Sequence, residues 1–243
     1  MPRPFIRMSL GDFEGAVSKY AWGTKKKLVD VHCTDMPDHA HFAKHGGLDC
    51  VEAMYRNHTN PDGKNWSDIA QHVTIDPEGY IWSGRSWNRS PASALGYNSP
   101  RVFMFEMIGL FDTGKDSFGG AQREVAHAVA AAIIFKFGLT AKDAIRFHRE
   151  INHEGKTCPG SAVGKEEFIA GVERMLDERY RLKGFGLQPE SNPWLDPHDA
   201  APGIPLSDLL PELSTDGDEA GFDDGEHDHD DMVLEDASGE PTS

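Results

Sequence analysis

Cysteine is scarce in this chain, and long apolar runs are missing. The 243 residues include three cysteines, Cys33, Cys50 and Cys158, which are too few and too scattered for a disulfide framework. No segment approaches the roughly 20 apolar residues that a membrane-spanning helix needs. The first residues, Met-Pro-Arg-Pro-Phe-Ile-Arg, lead into no apolar run of signal-peptide length. We therefore expect a chain with no membrane span and no standard export signal, cytoplasmic as synthesised.

Basic residues are absent from the C-terminal part of the chain. Between Pro189 and Ser243 there are 17 Asp and Glu residues and no Lys or Arg, whereas the preceding residues carry 23 acidic and 24 basic residues. From about Gly184 onward Pro, Gly, Asp and Ser dominate, and such a segment cannot bury enough apolar surface to offset its ordering entropy. We predict a disordered acidic tail over residues 184–243, which acts as a solubilising extension or docks on a basic protein surface.

The rest of the chain alternates between strand-like and helix-like segments. Continuous apolar runs predict strands, and apolar residues spaced three and four apart predict helices. This order favours an α/β fold with a central mixed β-sheet flanked by helices. We place this domain at residues 25–183, after an N-terminal extension over residues 1–24. The predicted elements are strand 28–33, a polar loop over 34–47, helix 48–57, a hairpin of strands 69–75 and 80–84, strand 101–108, helix 122–137 ended by Gly138, strand 144–147 and helix 166–182.

Polar side chains end or interrupt three of the predicted strands. His32 lies at the end of the first strand, Glu106 interrupts the most apolar strand, and His148 follows the last strand. Lys156 and Cys158 come a few residues later. Imidazole nitrogens and a thiolate suit zinc, and a catalytic zinc site has three protein ligands and an open fourth position. A nearby carboxylate can act as general base, and a lysine can neutralise the oxyanion of a tetrahedral intermediate. These five residues would therefore form an amide-hydrolysing set.

Most of these residues also have an ordinary structural interpretation. A histidine at a strand end is often simply packed or hydrogen-bonded, a single cysteine is often a small buried hydrophobe, and a loop lysine is usually solvated. Glu106 is the exception, because a carboxylate in a core strand is costly unless it is paired or bound to a metal. His39, His41 and His45 leave a second metal site open, but a loop without metal is favoured because no carboxylate or cysteine pattern accompanies them.

Four segments carry a family resemblance: 28–33, which contains Val-His-Cys, 66–75, 101–109, and 147–160, which contains Lys-Thr-Cys-Pro-Gly. In order and spacing they resemble the zinc-dependent N-acetylmuramoyl-L-alanine amidases and peptidoglycan recognition proteins. The first segment is similar to the first-ligand strand of phage amidase-type lysozymes. The last two resemble the recycling amidases that act on anhydro-muramyl peptides. Those enzymes have Asp where this chain, like phage amidases and recognition proteins, has Cys158.

The resemblance implies Zn2+ held by His32, His148 and Cys158, with Glu106 as general base and Lys156 on the oxyanion. It implies hydrolysis of the amide bond between N-acetylmuramic acid and L-alanine, and thus a peptidoglycan or muropeptide substrate. No glycine-rich phosphate loop or basic aromatic stripe suggests nucleotide or nucleic-acid binding. A phage endolysin released by lysis, a recycling enzyme and an effector exported by a dedicated machine remain alternative settings.

The chain departs from the family pattern at two places. Gln71 stands where phage-type amidases have a tyrosine, and the loop near Ser93 and Ala94 lacks a histidine that relatives usually have. The resemblance implies that Glu106 supplies the function of the missing tyrosine. The same departures motivate a second hypothesis, a catalytically silent peptidoglycan-binding module.

Overall fold

The structure, a computed structural model, describes residues 4–92, 94–151 and 155–181. The strands are β1 (Arg7–Met8), β2 (Leu28–Cys33), β3 (Val73–Ile75), β4 (Ile81–Ser83), β5 (Val102–Met107) and β6 (Ile145–Phe147). The helices are α1 (Leu10–Lys19), α2 (His39–Thr59), α3 (Gly120–Phe137), α4 (Ala141–Ala144) and α5 (Lys165–Met175). A 3-10 turn covers His148–Glu150, and a π-helical segment, Leu176–Arg181, continues α5.

The strands form one mixed sheet in the order β1-β4-β3-β5-β2-β6. β5 and β6 both pair in parallel with β2, and β3 pairs in parallel with β5. β4 runs antiparallel to β3, with which it forms the predicted hairpin, and β1 runs antiparallel to β4. Every residue of β5 is buried, as expected of a parallel strand that is covered on both faces. The predicted α/β fold with a central mixed sheet flanked by helices is confirmed.

α3 is the central helix of the packed core. It contacts α1, α5 and the sheet, and its segment from Ala128 to Ile134 is fully buried. The helix ends at Gly138, whose left-handed backbone (φ 61°, ψ 42°) lets its N–H donate to the carbonyls of Ile134 and Phe135. Glycine adopts this conformation without the steric penalty that a Cβ brings. The predicted helix and its stop at Gly138 therefore match the structure.

The predicted polar loop over residues 34–47 is wrong for its second half, because α2 begins at His39. The Asp38 carboxylate accepts a hydrogen bond from the backbone N–H of His41 at 2.7 Å and so caps the helix. The helix then bends at Gly46, which has a positive φ of 79°. The sequence analysis did not predict this part of the helix, because its polar residues, among them three histidines, lack the apolar periodicity on which the prediction relied.

The N-terminal residues, predicted as an extension outside the domain, contribute β1 and α1 to the same sheet and core. The hydroxyl of Ser9 accepts from the N–H of Asp12, and the Asp12 carboxylate accepts from the N–H of Ser9, which forms a capping box for α1. Phe13 and Val17 are fully buried in the main core. The apolar face of α1 is therefore covered by the rest of the domain.

A buried carboxylate ties α1 to the last described segment. Glu14 accepts two hydrogen bonds from the guanidinium of Arg179, both at 2.9 Å, and one from the hydroxyl of Tyr180 at 2.7 Å. The acidic tail predicted over 184–243 lies outside the described residues. None of the described helices combines the length and apolar character needed to cross a membrane.

Candidate metal centre and active site

Three parallel strands bring their polar residues to one edge of the sheet. The register of β2 and β5 places His32 directly opposite Glu106. β2 and β6 are paired as far as Val31 and Phe147, so that His148 follows β6 at the level of His32. Because the carboxyl ends of parallel strands lie at the same edge, residues distant in the chain meet there.

The ligand atoms of His32, His148 and Cys158 all lie within 4.8 Å of one another. The two imidazole rings are 4.5 Å apart between centroids, and both histidines are at most 3% exposed. Among the described residues, no other group of three His, Cys, Asp or Glu side chains comes together in this way. The three residues predicted as ligands are therefore neighbours in space.

The surroundings of the Cys158 side chain disfavour its thiolate form unless a cation lies nearby. The backbone N–H of Cys33 points at the Cys158 sulfur over 3.4 Å. Burial, followed by the hydrogen bond with the Cys33 side chain, raises the pKa of the Cys158 thiol well above its ordinary value. A bound metal cation would reverse this effect, because it stabilises the deprotonated sulfur.

Arg149 holds the loop that presents Cys158. Its Nη1 donates to the carbonyl of Gly160 at 2.8 Å and to that of Thr157 at 3.3 Å, and its Nη2 donates to the carbonyl of Val163 at 2.7 Å. Its backbone N–H donates to the carbonyl of Cys158 at 2.9 Å. Arg149 was not among the predicted site residues, because no sequence signal shows that a side chain next to His148 turns back onto this loop.

Asp112 and Gly160 hold the same loop from the other side. The Asp112 carboxylate accepts from the N–H of Ser161 at 2.6 Å and from the hydroxyl of Thr157 at 3.0 Å, and these bonds lower its pKa. Gly160 has a positive φ of 115°, and a Cβ at this position would lie 2.4 Å from the Phe111 carbonyl oxygen. Only glycine allows this close approach of two backbones.

Glu106 is a buried carboxyl group beside the three candidate ligands. It is 6% exposed and lies between Thr74 on β3 and His32 on β2 in the sheet register. Burial raises its pKa to about 8, and no hydrogen bond or ion pair to its carboxyl is found among the described residues. A cation held by the three ligands would favour the ionised form and leave a carboxylate able to accept a proton.

Lys156 lies two residues before Cys158 on the loop held by Arg149. Its side chain is half-buried, and none of the hydrogen bonds or salt bridges among the described residues engages its ammonium group. Residues 152–154 of the preceding loop lie outside the described residues. The ammonium group is therefore not committed to a structural ion pair in the described part of the chain.

Gln71 and His72 both have structural hydrogen bonds. Gln71 is fully buried, and its Nε2 donates to the hydroxyl of Thr74 at 2.8 Å. The Nδ1 of His72 accepts from the N–H of Met104 at 2.9 Å, and its Nε2 donates to the carbonyl of Arg89. Gln71 stands where phage-type amidases have a tyrosine, and its partner Thr74 lies opposite Glu106 in the sheet. His72 ties the segment before β3 to β5.

The three histidines near the start of α2 do not form a group of three metal ligands. The rings of His41 and His45 stack at 4.4 Å, whereas His39 is hydrogen-bonded through Nε2 to the side-chain oxygen of Gln122 at 3.1 Å. The only three-residue ligand group in the described chain is the one at the sheet edge. A second metal site at these histidines thus gains no support from the structure.

A mixed six-stranded sheet with this polar cluster at its carboxyl edge is the architecture of the amidase and peptidoglycan recognition fold. Residues 23–161 match the family model of the N-acetylmuramoyl-L-alanine amidases. Because the match spans more than half of the chain, this protein belongs to that family.

Curated proteins that resemble the chain include animal proteins. It is 29% identical over 114 residues to a human N-acetylmuramoyl-L-alanine amidase, a match covering 46% of this chain and 19% of the relative. It is 26% identical over 106 residues to peptidoglycan-recognition protein SC2 of Drosophila melanogaster, covering 43% of this chain and 54% of the relative. The matched region thus spans about a fifth of the human protein and about half of the fly protein.

Solved structures share the fold at low sequence identity. Wild-type Drosophila PGRP-LB superposes with a TM-score of 0.50 at 21% identity, covering 65% of this chain and 90% of that one. A variant of PGRP-LB in complex with tracheal cytotoxin gives a TM-score of 0.51 at 22% identity, with the same coverage of both chains. At this identity the likeness establishes the fold.

Proposed function

We propose that this protein is a zinc-dependent amidase that hydrolyses the bond between the lactyl group of N-acetylmuramic acid and L-alanine in peptidoglycan or muropeptides. The observation that carries the proposal is the meeting of His32, His148 and Cys158 at one sheet edge, beside the buried carboxyl group of Glu106. Membership of the amidase family supports the same substrate class.

The donor set and its geometry fit zinc. Two imidazoles and one thiolate are typical zinc ligands, and three protein ligands leave the fourth position open. At ordinary zinc bond lengths, tetrahedral ligand atoms lie about 3.3–3.7 Å apart. The three ligand atoms here lie within 4.8 Å of one another, so side-chain movements on the order of 1 Å close the site.

Glu106 is the proposed general base. When bound, zinc would supply a Lewis acid that polarises the substrate carbonyl and acidifies the attacking water. Glu106 takes a proton from this water and later gives it to the leaving amine of L-alanine. Its burial without a hydrogen-bond partner among the described residues keeps the carboxylate available for proton transfer.

Lys156 is proposed to stabilise the oxyanion of the tetrahedral intermediate. It is two residues from Cys158, and no salt bridge in the described chain occupies its ammonium group. A positive charge placed near the developing oxyanion lowers the barrier more in a water-poor site than in bulk water. Lys156→Met should therefore lower kcat more than it raises KM, measured on a soluble muropeptide.

The test of the proposed function is product analysis by mass spectrometry. Purified sacculi and soluble muropeptides are incubated with the protein, with and without a chelator, and release of peptides with a new N-terminal alanine is measured. Glu106→Gln should lower turnover by about 10²–10⁴-fold while zinc stays bound. Glu124→Gln, which changes an exposed carboxylate paired with Arg174 on the helical side of the domain, is the matched control.

Wild-type protein with one bound zinc that releases no L-alanine peptide from any wall type would contradict the enzyme proposal. Gln71 gives a specific reason to test the second candidate, a silent peptidoglycan-binding module. Its amide replaces the family tyrosine and is engaged with Thr74. Sedimentation of the protein with purified sacculi, without new N-terminal alanine, would favour this binding function.

For the acidic segment 189–243 we propose docking on a basic protein surface. The 17 acidic residues without a single Lys or Arg provide the charge for such a contact. Deleting the segment should abolish binding to a basic protein partner in low salt and leave amidase kinetics unchanged. A large loss of turnover in the truncated protein would contradict this separation of roles.

A further inference from the structure

A second thiol lies beside the candidate ligand Cys158. The backbone N–H of Cys33 is 3.4 Å from the sulfur of Cys158, and that sulfur is 3.9 Å from the Cys33 carbonyl oxygen. The Cys33 side chain is also close enough to contribute to the raised pKa of the Cys158 thiol. Both cysteines are free thiols with half-buried side chains. The third cysteine, Cys50, is fully buried within α2.

The contacts between Cys33 and Cys158 favour a disulfide bond between these two residues. A disulfide requires that each sulfur approach the Cβ of the other cysteine, with Cβ atoms about 3.5–4.5 Å apart. The Cys158 sulfur already touches both backbone polar atoms that flank the Cα of Cys33. Cys33 is the last residue of β2 and Cys158 lies on a loop, so neither cysteine lies in the interior of a strand.

We propose that Cys33 and Cys158 are a disulfide-forming pair that small-molecule disulfides, such as glutathione disulfide, oxidise when no metal is bound. One protein thiolate attacks a sulfur of glutathione disulfide, forms a mixed disulfide and releases one glutathione. The second protein thiol then attacks the protein sulfur of the mixed disulfide and releases the other glutathione. The two protons of the protein thiols end on the two released glutathiones, so that the protein loses two electrons and glutathione disulfide gains them.

The disulfide and the metal compete for the same sulfur. A sulfur bonded to Cys33 is no longer a thiolate, so Cys158 leaves the donor set and only His32 and His148 remain. A bound metal in turn withholds the Cys158 sulfur from exchange. This competition rests on the proposed zinc site, whereas formation of the disulfide depends only on the two thiols.

The experiment uses the full-length protein, freed of metal with a chelator and incubated with glutathione disulfide. Peptide mapping by mass spectrometry should show a Cys33–Cys158 cross-link, with two of the three thiols lost. Protein loaded with zinc beforehand should form the cross-link at least about tenfold more slowly. Oxidised protein should bind no zinc in a stoichiometry measurement and should recover one zinc per chain after reduction.

Two variants make the result specific. Cys33→Ser should keep one zinc per chain and form only a mixed disulfide at Cys158, whereas Cys50→Ala should cross-link as the wild type does. Metal-free wild type that yields only mixed disulfides, or no adduct at all, would overturn the proposal. If reduced wild type and Cys33→Ser bind no zinc while the cross-link still maps, the zinc site of the proposed function fails and the disulfide pair stands.

Discussion

Arg149 should control zinc affinity although it is not itself a ligand. Its guanidinium holds the loop that carries Cys158, with hydrogen bonds to three backbone carbonyls of that loop. The perturbation is Arg149→Met, which keeps an unbranched apolar side chain and removes all of the hydrogen-bond donors. We expect the loop to loosen, so that Cys158 must be ordered again each time a metal binds.

The expected magnitude follows from the hydrogen bonds. The bonds to the carbonyls of Gly160 (2.8 Å) and Val163 (2.7 Å) each join a charged donor to a neutral acceptor. Bonds of this kind contribute about 1.5–3 kcal/mol each, and for a half-buried side chain we expect about 2–4 kcal/mol in total. The Gly160 and Thr157 carbonyls also accept from backbone N–H groups within the loop, so the loop loosens and does not unfold completely. Loss of such supporting contacts typically weakens metal binding by about 10–100-fold.

The assay is competition for zinc with a chromophoric chelator, combined with urea unfolding of the metal-free protein. Arg149→Lys keeps the charge but not the planar fork and should give an intermediate affinity. Arg174→Met, which removes exposed ion pairs with Glu124 and Glu178, should cost less than about 1 kcal/mol and leave zinc affinity unchanged. Wild-type zinc affinity in a correctly folded Arg149→Met variant would refute the reasoning.

Two further predictions concern backbone geometry and a buried charge. Gly160→Ala should weaken zinc binding about tenfold or more, because the new Cβ would lie 2.4 Å from the Phe111 carbonyl oxygen at a position with positive φ. Zinc affinity is measured by competition with a chelator, and a variant with wild-type affinity would contradict this prediction. Lys26 is fully buried, its ammonium donates to the Pro100 carbonyl, and burial lowers its pKa to about 7. Between pH 7 and 10.5 the unfolded chain therefore holds a proton that the folded chain has released, so this group makes the protein more stable as pH rises through that window. Lys26→Met should stabilise the protein most below pH 7, by at most about 5 kcal/mol, and this advantage should shrink towards pH 10. If the difference in unfolding free energy between the variant and the wild type does not change with pH, the lowered pKa of Lys26 is contradicted.

Much of the fold was predictable because its elements have strong local patterns. The apolar strand that contains Glu106 and the alanine-rich helix that ends at Gly138 appear in the structure close to their predicted bounds. The start of α2 was missed, since a cap at Asp38 followed by a histidine-rich turn has no apolar period. The packing of α1 was missed for another reason: it packs against α3 and Arg179, which lie more than a hundred residues away in the chain.

The donor atoms of the candidate site were also open to prediction from the chain. Two histidines and a glutamate at strand ends, followed by Lys-Thr-Cys-Pro-Gly, carry the donor types of a zinc amidase in the order of the family. The predicted grouping of His32, His148 and Cys158 agrees with the cluster in the structure. The roles of Arg149 and Asp112 were not predictable, because an arginine or aspartate in a polar loop looks the same whether it points to solvent or to a backbone carbonyl.

The amino-acid sequence by itself determined which segments become strands and helices, and which donor atoms this protein carries, because these properties reside in neighbouring residues. Only the tertiary structure decided that β6 lies beside β2, which brings His148 to His32. It alone decided that Cys33, 125 residues away in the chain, touches the sulfur of Cys158. The physical reason is that strand pairing and register arise from packing of the whole core, and a shift of one residue in β2 would turn the side chain of His32 to the opposite face of the sheet.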